Sequence, residues 1–187
     1  MTDPFRNGNA IRSRLPAAAS APGRAPTETH TLGVLGMVLD ETGTAISLLN
    51  EVANPQWEDA DAFHAGMTAA DLAWANLDSG RWADARLGVE RQAGRFLGGE
   101  HTHGAARSLA VLATLCALTG EPDAALRHAT AVLAVTEPAG VLATVVRARR
   151  ASGLAAMALG DPASAFHRGL LHKRNSRPQS LFLNQVG

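Results

Sequence analysis

The chain has 187 residues, with 17 basic and 17 acidic side chains, so it carries no net charge at neutral pH. This balance argues against a continuous basic face that would track nucleic acid along its phosphates. Ala and Leu dominate an apolar fraction of 46%, and aromatic residues make up only 4%, a mixture that favours helices over strands. The composition therefore predicts a single all-α domain.

The number of cysteines and the length of the apolar stretches indicate the cellular compartment of the protein. Cys116 is the single cysteine, so an internal disulfide or a cysteine-based zinc site is impossible, and a buried, inert thiol is predicted. Arg107 and the Glu137-Pro138 pair interrupt the apolar stretches before they reach the ~18 residues of a membrane span. The N-terminal region has no apolar segment long enough for a secretory signal. We therefore expect a cytoplasmic protein that does not cross a membrane.

The two ends of the chain differ in composition from its middle. Residues 1–29 are rich in Ala, Pro, Ser, Gly and Arg without apolar periodicity, which predicts a disordered N-terminal arm. Residues 176–187 are predicted to form a flexible C-terminal tail, whose Leu181-Phe182-Leu183 stretch either docks on the last helix or stays free. The segment between them, residues 30–175, is predicted to be a helical repeat domain.

Three segments of the middle region align without gaps at a spacing of 40 residues. Gly80, Gly120 and Gly160 each follow an apolar helical pattern and precede an acidic or proline-containing start. This arrangement is typical of a tight turn between antiparallel helices, where glycine takes a positive φ and proline enters the next helix's first turn. Ala85, Ala125 and Ala165 recur five positions later, where paired helices would approach closely.

The repeat predicts three helix pairs and a weaker fourth. The pairs are 61–79 with 81–97, 104–119 with 121–136, and 139–159 with 161–173. The weaker copy comes first, and in it Gly36 stands seven positions before Gly43. No polar capping helix is evident at either end, so apolar end faces are predicted and a homodimer is expected.

The pattern resembles the tetratricopeptide repeat family. It combines a small residue seven positions before the turn glycine, an alanine five positions after it, and a proline near the end of the second helix. The small residues are Ala73, Ala113 and Gly153, and the prolines are Pro138 and Pro178. A period of 40, longer than the family's usual ~34, is similar to the repeat regions of bacterial, including actinobacterial, transcriptional regulators. The resemblance covers about residues 30–175.

The resemblance implies an α-solenoid of about four antiparallel helix pairs, whose first helices line a concave groove for a peptide or a partner's helix. Register then places six residues on the groove: Met37, Trp74, Arg107, Thr114, Arg147 and Arg150. The arginines could bind an acidic peptide or a C-terminal carboxylate. Alternatively, they pair with carboxylates of an adjacent helix, and Trp74 is a core residue.

Charge is unevenly distributed along the neutral chain. Residues 31–80 contain eight acidic residues and no Lys or Arg, whereas residues 138–187 contain seven basic residues and one acidic residue. This asymmetry could steer an acidic partner to the C-terminal half or support self-association. The simpler interpretation is that these charges form solvated faces.

Other function classes have little support in the sequence. His101-Thr102-His103 is the one His-x-His, and a metal site there would need Glu100 or the distant His64 as a third ligand. Phosphate-loop, nucleophile-elbow and zinc-protease motifs are missing, so no enzyme, catalytic residue or cofactor is predicted. Nucleic acid is not expected as a partner, except through the tails. The sequence therefore predicts a protein- or peptide-binding module, and alternatively the sensory or effector portion of a transcriptional regulator that lacks its DNA-binding domain.

Overall fold

A computed structural model describes residues 4–53, 62–99 and 102–165, with side chains described from residue 10 onwards and not at 62 and 63. Within these ranges the chain forms helices and no strand. The helices are α1 (Pro4–Ala19), α2 (Pro26–Val38), α3 (Thr42–Val52), α4 (Ala62–Asp78), α5 (Trp82–Leu97), α6 (His103–Leu118), α7 (Pro122–Thr136) and α8 (Leu142–Ala158). A further helical stretch begins at 162 and is described as far as 165. The predicted all-α solenoid of helix pairs is confirmed.

The turns inside the pairs share one backbone geometry. Gly80, Gly120 and Gly160 have φ values of 79°, 83° and 76°, as the repeat predicted. Asp40 has a φ of 59° and is the one non-glycine residue with a positive φ among those described. Asp40 stands 40 positions before Gly80, so all four turns follow a single gapless period.

This geometry corrects the predicted alignment of the first copy. Its turn residue is Asp40 instead of Gly43, and its small helix residue is Gly33 instead of Gly36. The amide following each turn residue confirms the new register. Glu41 N donates to Gly36 O at 2.8 Å, as Arg81 N does to Asn76 O and Glu121 N does to Cys116 O. The prediction failed because aspartate, which tolerates the left-handed region, replaces glycine there.

The helices of each pair approach closely at the predicted small residues. Ala45, Ala85 and Ala125 have no exposed surface. A Cβ added to Gly36 would lie only 3.2 Å from the Cβ of Ala45. Close approach of this kind explains why the repeat retains alanine where the second helix meets the first.

The helices form two layers, one of the first helices and one of the second helices of each pair. The first helices α2, α4, α6 and α8 follow one another in one layer. The second helices α3, α5 and α7 pack against one side of that layer. Helix α6 lies at the centre and is buried over most of its length. Its Cys116 is 2% exposed, and burial raises the pKa of the thiol, as expected for an inert core residue.

The N-terminal region differs from the predicted disordered arm. Residues 4–19 form α1, which packs against α2 and α3 and buries Leu15. Arg12 donates to the Leu39 carbonyl and forms an ion pair with Glu41 at 3.2 Å. The order of α1 therefore comes from docking, which composition alone does not reveal.

Helix α1 occupies the position of a capping helix at the N-terminal end of the solenoid. Arg24, just beyond it, forms an ion pair with Glu51 of α3 at 3.2 Å and donates to the Ala18 carbonyl at 3.1 Å. The prediction of an uncapped apolar face is therefore wrong at this end. The predicted tail, 176–187, lies outside the described residues.

Candidate functional site

The first helices are joined by polar side chains on their shared face. On α4, Met67, Asp71, Trp74 and Asp78 follow one another at helical spacing and form a single stripe. The stripe contacts α2 through His30, α6 through Arg107 and α8 through Arg147. We call this surface of the first helices the inner face, and it is the candidate site.

Asp71 connects three successive first helices. Its carboxylate is 2% exposed and accepts a hydrogen bond and ion pair from Arg107 of α6. Its other oxygen lies 3.2 Å from His30 Nε2 of α2. A buried carboxylate is tolerated because it is paired and hydrogen-bonded in this way.

The electrostatics of this cluster follow from burial. Burial, and then the nearby Arg147 cation, lower the pKa of Arg107 to about 10, which leaves its guanidinium charged at neutral pH. Burial, then Arg107 and then His64, lower the pKa of His30 even though it contacts Asp71. Neutral His30 can donate its Nε2 proton to Asp71. The cluster is therefore internally satisfied and holds α2, α4 and α6 together.

Arg147 has the same register as Arg107 but makes a different contact. Its guanidinium carbon lies 4.4 Å from the centroid of the Trp74 ring. Because Trp74 is on α4 and Arg147 on α8, the arginine side chain reaches across α6 over the inner face. Burial lowers the pKa of Arg147, and the Asp78 carboxylate partly offsets this effect. Within the described ranges, no carboxylate oxygen lies within 4.0 Å of its nitrogens.

Trp74 lies beneath this cation. Its side chain is 5% exposed and packs with Ala73, Ala85 and Val89. The indole Nε1 is buried and finds no hydrogen-bond acceptor among the described residues. An unpaired buried donor is uncommon in a folded core and marks a site where a further polar group would be stabilising.

The Asp78 carboxylate at the end of α4 and the Arg150 cation of α8 lie beside this contact. Burial raises the pKa of Asp78, Arg147 and Arg150 oppose this shift, and Asp40 adds to it. Arg150 is exposed one turn beyond Arg147, and no carboxylate of the described residues lies within 4.0 Å of its nitrogens, although Asp78 is near enough to feel its charge. Arg147 and Arg150 thus form a positive area beside Trp74.

The other two predicted groove residues lie on α2 and α6. Met37 is half-buried and packs against the two core clusters that contain Trp74 and Ile46, respectively. Thr114 is 3% exposed, and its hydroxyl donates to the Ala110 carbonyl of its own helix at 3.0 Å. The structure therefore brings Trp74, Arg107, Arg147 and Arg150 together on the inner face, with Met37 and Thr114 beneath them.

Sequence reasoning missed the acidic half of the site. Asp71 was counted within the acidic segment without a role, and His30, the first residue of the predicted repeat domain, was given none. The available signal was helical spacing, because Asp71 lies three residues before Trp74 on the same stripe. Arg107 confirms the alternative in which a groove arginine pairs with a carboxylate of an adjacent helix.

The described residues also bear on metal and membrane interactions. Among the described residues, no three His, Cys, Asp or Glu side chains cluster to hold a metal ion. His103 begins α6, whereas Glu100 and His101 lie outside the described ranges. None of the described helices is long and apolar enough to cross a membrane.

Comparison with known proteins agrees with the fold. No protein-family model matches the sequence, and no curated protein is similar to it. Among solved structures, the chain is similar to the crystal structure of MamA, a protein with tetratricopeptide repeats. The match has a TM-score of 0.58 and 17% identity, and it covers 97% of this chain and 91% of the MamA chain. The chain therefore has a tetratricopeptide-like fold. The match provides no link to transcriptional regulators.

Proposed function

We propose that this chain is a protein-interaction module that binds a segment of another protein on its inner face. A tetratricopeptide-like solenoid suggests such a module, since its stacked first helices present an extended surface. No catalytic group or cofactor is needed for this role. The fold alone does not identify the partner, so the side chains of the inner face must supply its chemistry.

The observation that carries the proposal is the pair of guanidinium groups on α8. Arg147 is half-buried and Arg150 exposed, and neither forms an ion pair with a described carboxylate. Desolvated cations are ordinarily paired, so a carboxylate from a partner would be stabilised here. We therefore propose an acidic protein segment as the ligand, met by this protein in the cytoplasm.

Arg107 is proposed to have a supporting role. It is already paired with Asp71, so it shapes the inner face and adds to its positive potential without needing the ligand. Met37 and Thr114 are proposed to act through the packing beneath the surface. The binding residues are then Trp74, Arg147 and Arg150.

Site-specific photo-cross-linking tests this proposal. A benzoylphenylalanine at position 150 on α8 would be compared with one at position 127, where Arg127 is equally exposed on α7. Binding on the inner face predicts that one partner cross-links from position 150 and not from 127. The cross-link should be lost in an Arg147→Glu variant that retains wild-type helicity.

Other results would redirect the proposal. Cross-linking from position 127 alone would place the interface on the second helices and refute the inner face as the site. Cross-linking to a second copy of this chain would instead support the homodimer predicted from apolar end faces.

A further inference from the structure

We infer that Arg147 covers a binding site on the Trp74 indole face, and that the ligand is an acidic segment with an apolar side chain beside a carboxylate. This inference rests on the proposed function and specifies its ligand. The ligand carboxylate would pair with Arg147 and draw it off the indole. The neighbouring apolar side chain would then occupy the uncovered ring face.

The first step is the register comparison of the two arginines. Arg107 is preceded on α4 by Met67 and Asp71, which contact it at 3.8 Å and through an ion pair. Met67 and Asp71 lie 40 and 36 residues before Arg107. The residues that lie 40 and 36 residues before Arg147 are Arg107 and Val111. By register, a like charge and an apolar side chain therefore replace for Arg147 the thioether and the carboxylate that Arg107 contacts, and Arg107 is near enough for the two cations to repel each other.

The second step is the consequence for Arg147. Because Arg107 repels it and Val111 cannot bind it, the side chain extends to the face of Trp74. A cation on an aromatic ring is held less strongly than one in a charge-assisted pair with a carboxylate. A ligand carboxylate should therefore outcompete the ring for Arg147.

The third step concerns what the movement exposes. Trp74 is nearly completely buried, and Arg147 covers its ring at 4.4 Å. Moving the guanidinium would uncover an aromatic surface at the centre of the inner face. Large aromatic surfaces of this kind are common anchors in protein interfaces. An apolar ligand side chain would gain burial there.

Single-stranded nucleic acid is the main competing ligand, since bases stack on tryptophan and phosphates bind arginine. The charge around the site disfavours it. Asp78 and Asp40 lie at the same end of the inner face, close enough for Asp40 to raise the pKa of Asp78. A phosphate backbone with a charge on every nucleotide would meet these carboxylates, whereas a peptide with spaced acidic residues would not.

The test is a titration monitored by Trp74 fluorescence. Trp57→Phe and Trp82→Phe substitutions leave Trp74 as the single tryptophan. The probes are three capped octapeptides, acetyl-GELGELGE-amide, acetyl-GEQGEQGE-amide and acetyl-GKLGKLGK-amide, and a ten-nucleotide oligothymidine. We expect the first to bind and change Trp74 emission, the second to bind more weakly, and the other two not to bind.

Variants assign the effect to Arg147. Arg147→Gln should weaken binding of the acidic-apolar peptide about tenfold, the cost of losing one charge-assisted pair. Arg127→Gln on α7 removes the same charge from an exposed position elsewhere and should leave binding unchanged. Circular dichroism of each variant excludes unfolding as the cause.

Each alternative outcome overturns the inference. Equal binding of the two acidic peptides, or unchanged Trp74 emission, would show that the indole is not a binding site. Binding of oligothymidine would assign the surface to nucleic acid. Failure of all four probes to bind at millimolar concentration would refute this ligand class, whereas a protein cross-linked from position 150 would still support the interaction module.

Discussion

Arg107 and Arg147 occupy equivalent positions in successive repeats, yet the regions around them differ in kind. Around Arg107, the buried Asp71 carboxylate pairs with the cation and also contacts His30, so that the carboxylate joins three helices. Around Arg147, the cation lies on an indole and has no described carboxylate partner. The difference comes from one position, because the residue equivalent to Asp71 is Val111. The position in the repeat thus determines on which face a side chain lies. The residues of the neighbouring repeat determine which contacts that side chain makes.

The residues between the helices also differ between the two regions. Gly66 of α4 and Gly104 of α6 meet backbone to backbone, so that a Cβ on Gly104 would lie 2.6 Å from the Gly66 carbonyl carbon. The equivalent positions on α6 and α8 are Ala106 and Thr144, which carry side chains. Direct backbone contact therefore joins α4 to α6, whereas side chains stand at the equivalent positions of α6 and α8.

Removing Arg107 and Arg147 in separate variants should give the largest difference in stability between the two regions. Arg107→Ala leaves the buried Asp71 without its cation and should cost about 3 kcal/mol of unfolding free energy. Arg147→Ala removes one cation–π contact and should cost about 1 kcal/mol or less. Urea unfolding followed by circular dichroism measures both. Equal losses would show that the two regions do not differ as described.

A double variant provides the control for the first arginine. Arg107→Met combined with Asp71→Leu removes both charges and replaces them with apolar side chains. It should recover much of the stability lost in Arg107→Ala, because the cost arises from the unpaired carboxylate and not from lost volume. This result also means that a binding test that includes Arg107→Ala would confuse stability with affinity.

The glycine contact makes the next largest prediction. Gly104→Ala should destabilise the fold by about 2 kcal/mol, because its Cβ must push α4 and α6 apart. Gly66→Ala is the matched control, since its Cβ would meet Gly104 Cα at an ordinary 3.5 Å. The control should be neutral or slightly stabilising, as alanine favours helix. Thermal unfolding measures both, and similar melting temperatures for the two variants would contradict the close contact.

The sequence predicted the repeat better than the site. Gly80, Gly120 and Gly160 identified the turns because a positive φ leaves a strong glycine signal. Asp40 gave no such signal, so the first copy was aligned three residues late. Helix α1 was missed because its order depends on docking through Leu15 and Arg12, not on local periodicity.

The site was predicted in part for a related reason. Register placed Arg107 and Arg147 on one face, but their partners are 36 and 73 residues away on other helices. Helical spacing shows which residues share a stripe, whereas pairing between helices depends on tertiary packing. Asp71 could be identified as the partner of Arg107 only once α4 and α6 were seen side by side.

The prediction that Arg147 shields the Trp74 ring from solvent can be tested without any ligand. In the single-tryptophan chain, Arg147→Ala should shift Trp74 emission to longer wavelength and increase acrylamide quenching, because solvent reaches the ring. Arg107→Met in the Asp71→Leu background should leave both signals nearly unchanged, since Arg107 does not cover the ring. An unaltered quenching constant in Arg147→Ala would mean that other side chains bury Trp74.

The smallest expected effect is the pH dependence of stability that His30 causes in the region around Arg107. The pKa of His30 is lowered from 6.5 by burial, then by Arg107 and His64, so the unfolded chain binds this proton more readily than the folded chain. The contribution of neutral His30 to stability should therefore be fully present above pH 6.5. It should fall as the pH drops through 6.5 towards the lower pKa of the folded state. His30→Gln should retain a donor to Asp71 and lose this part of the pH dependence.

Urea unfolding between about pH 8 and pH 5 measures this effect over the range in which histidine titrates. His128 on α7 also has a pKa lowered by burial, so it makes its own contribution in the same direction. His128→Gln should remove a separate share of the pH dependence, additive with that of His30, because the two residues share no contact. If His30→Gln and the wild type lose stability in parallel, protonation of the Asp71 cluster does not limit the fold, and the first region is held by its ion pair and glycine contact alone.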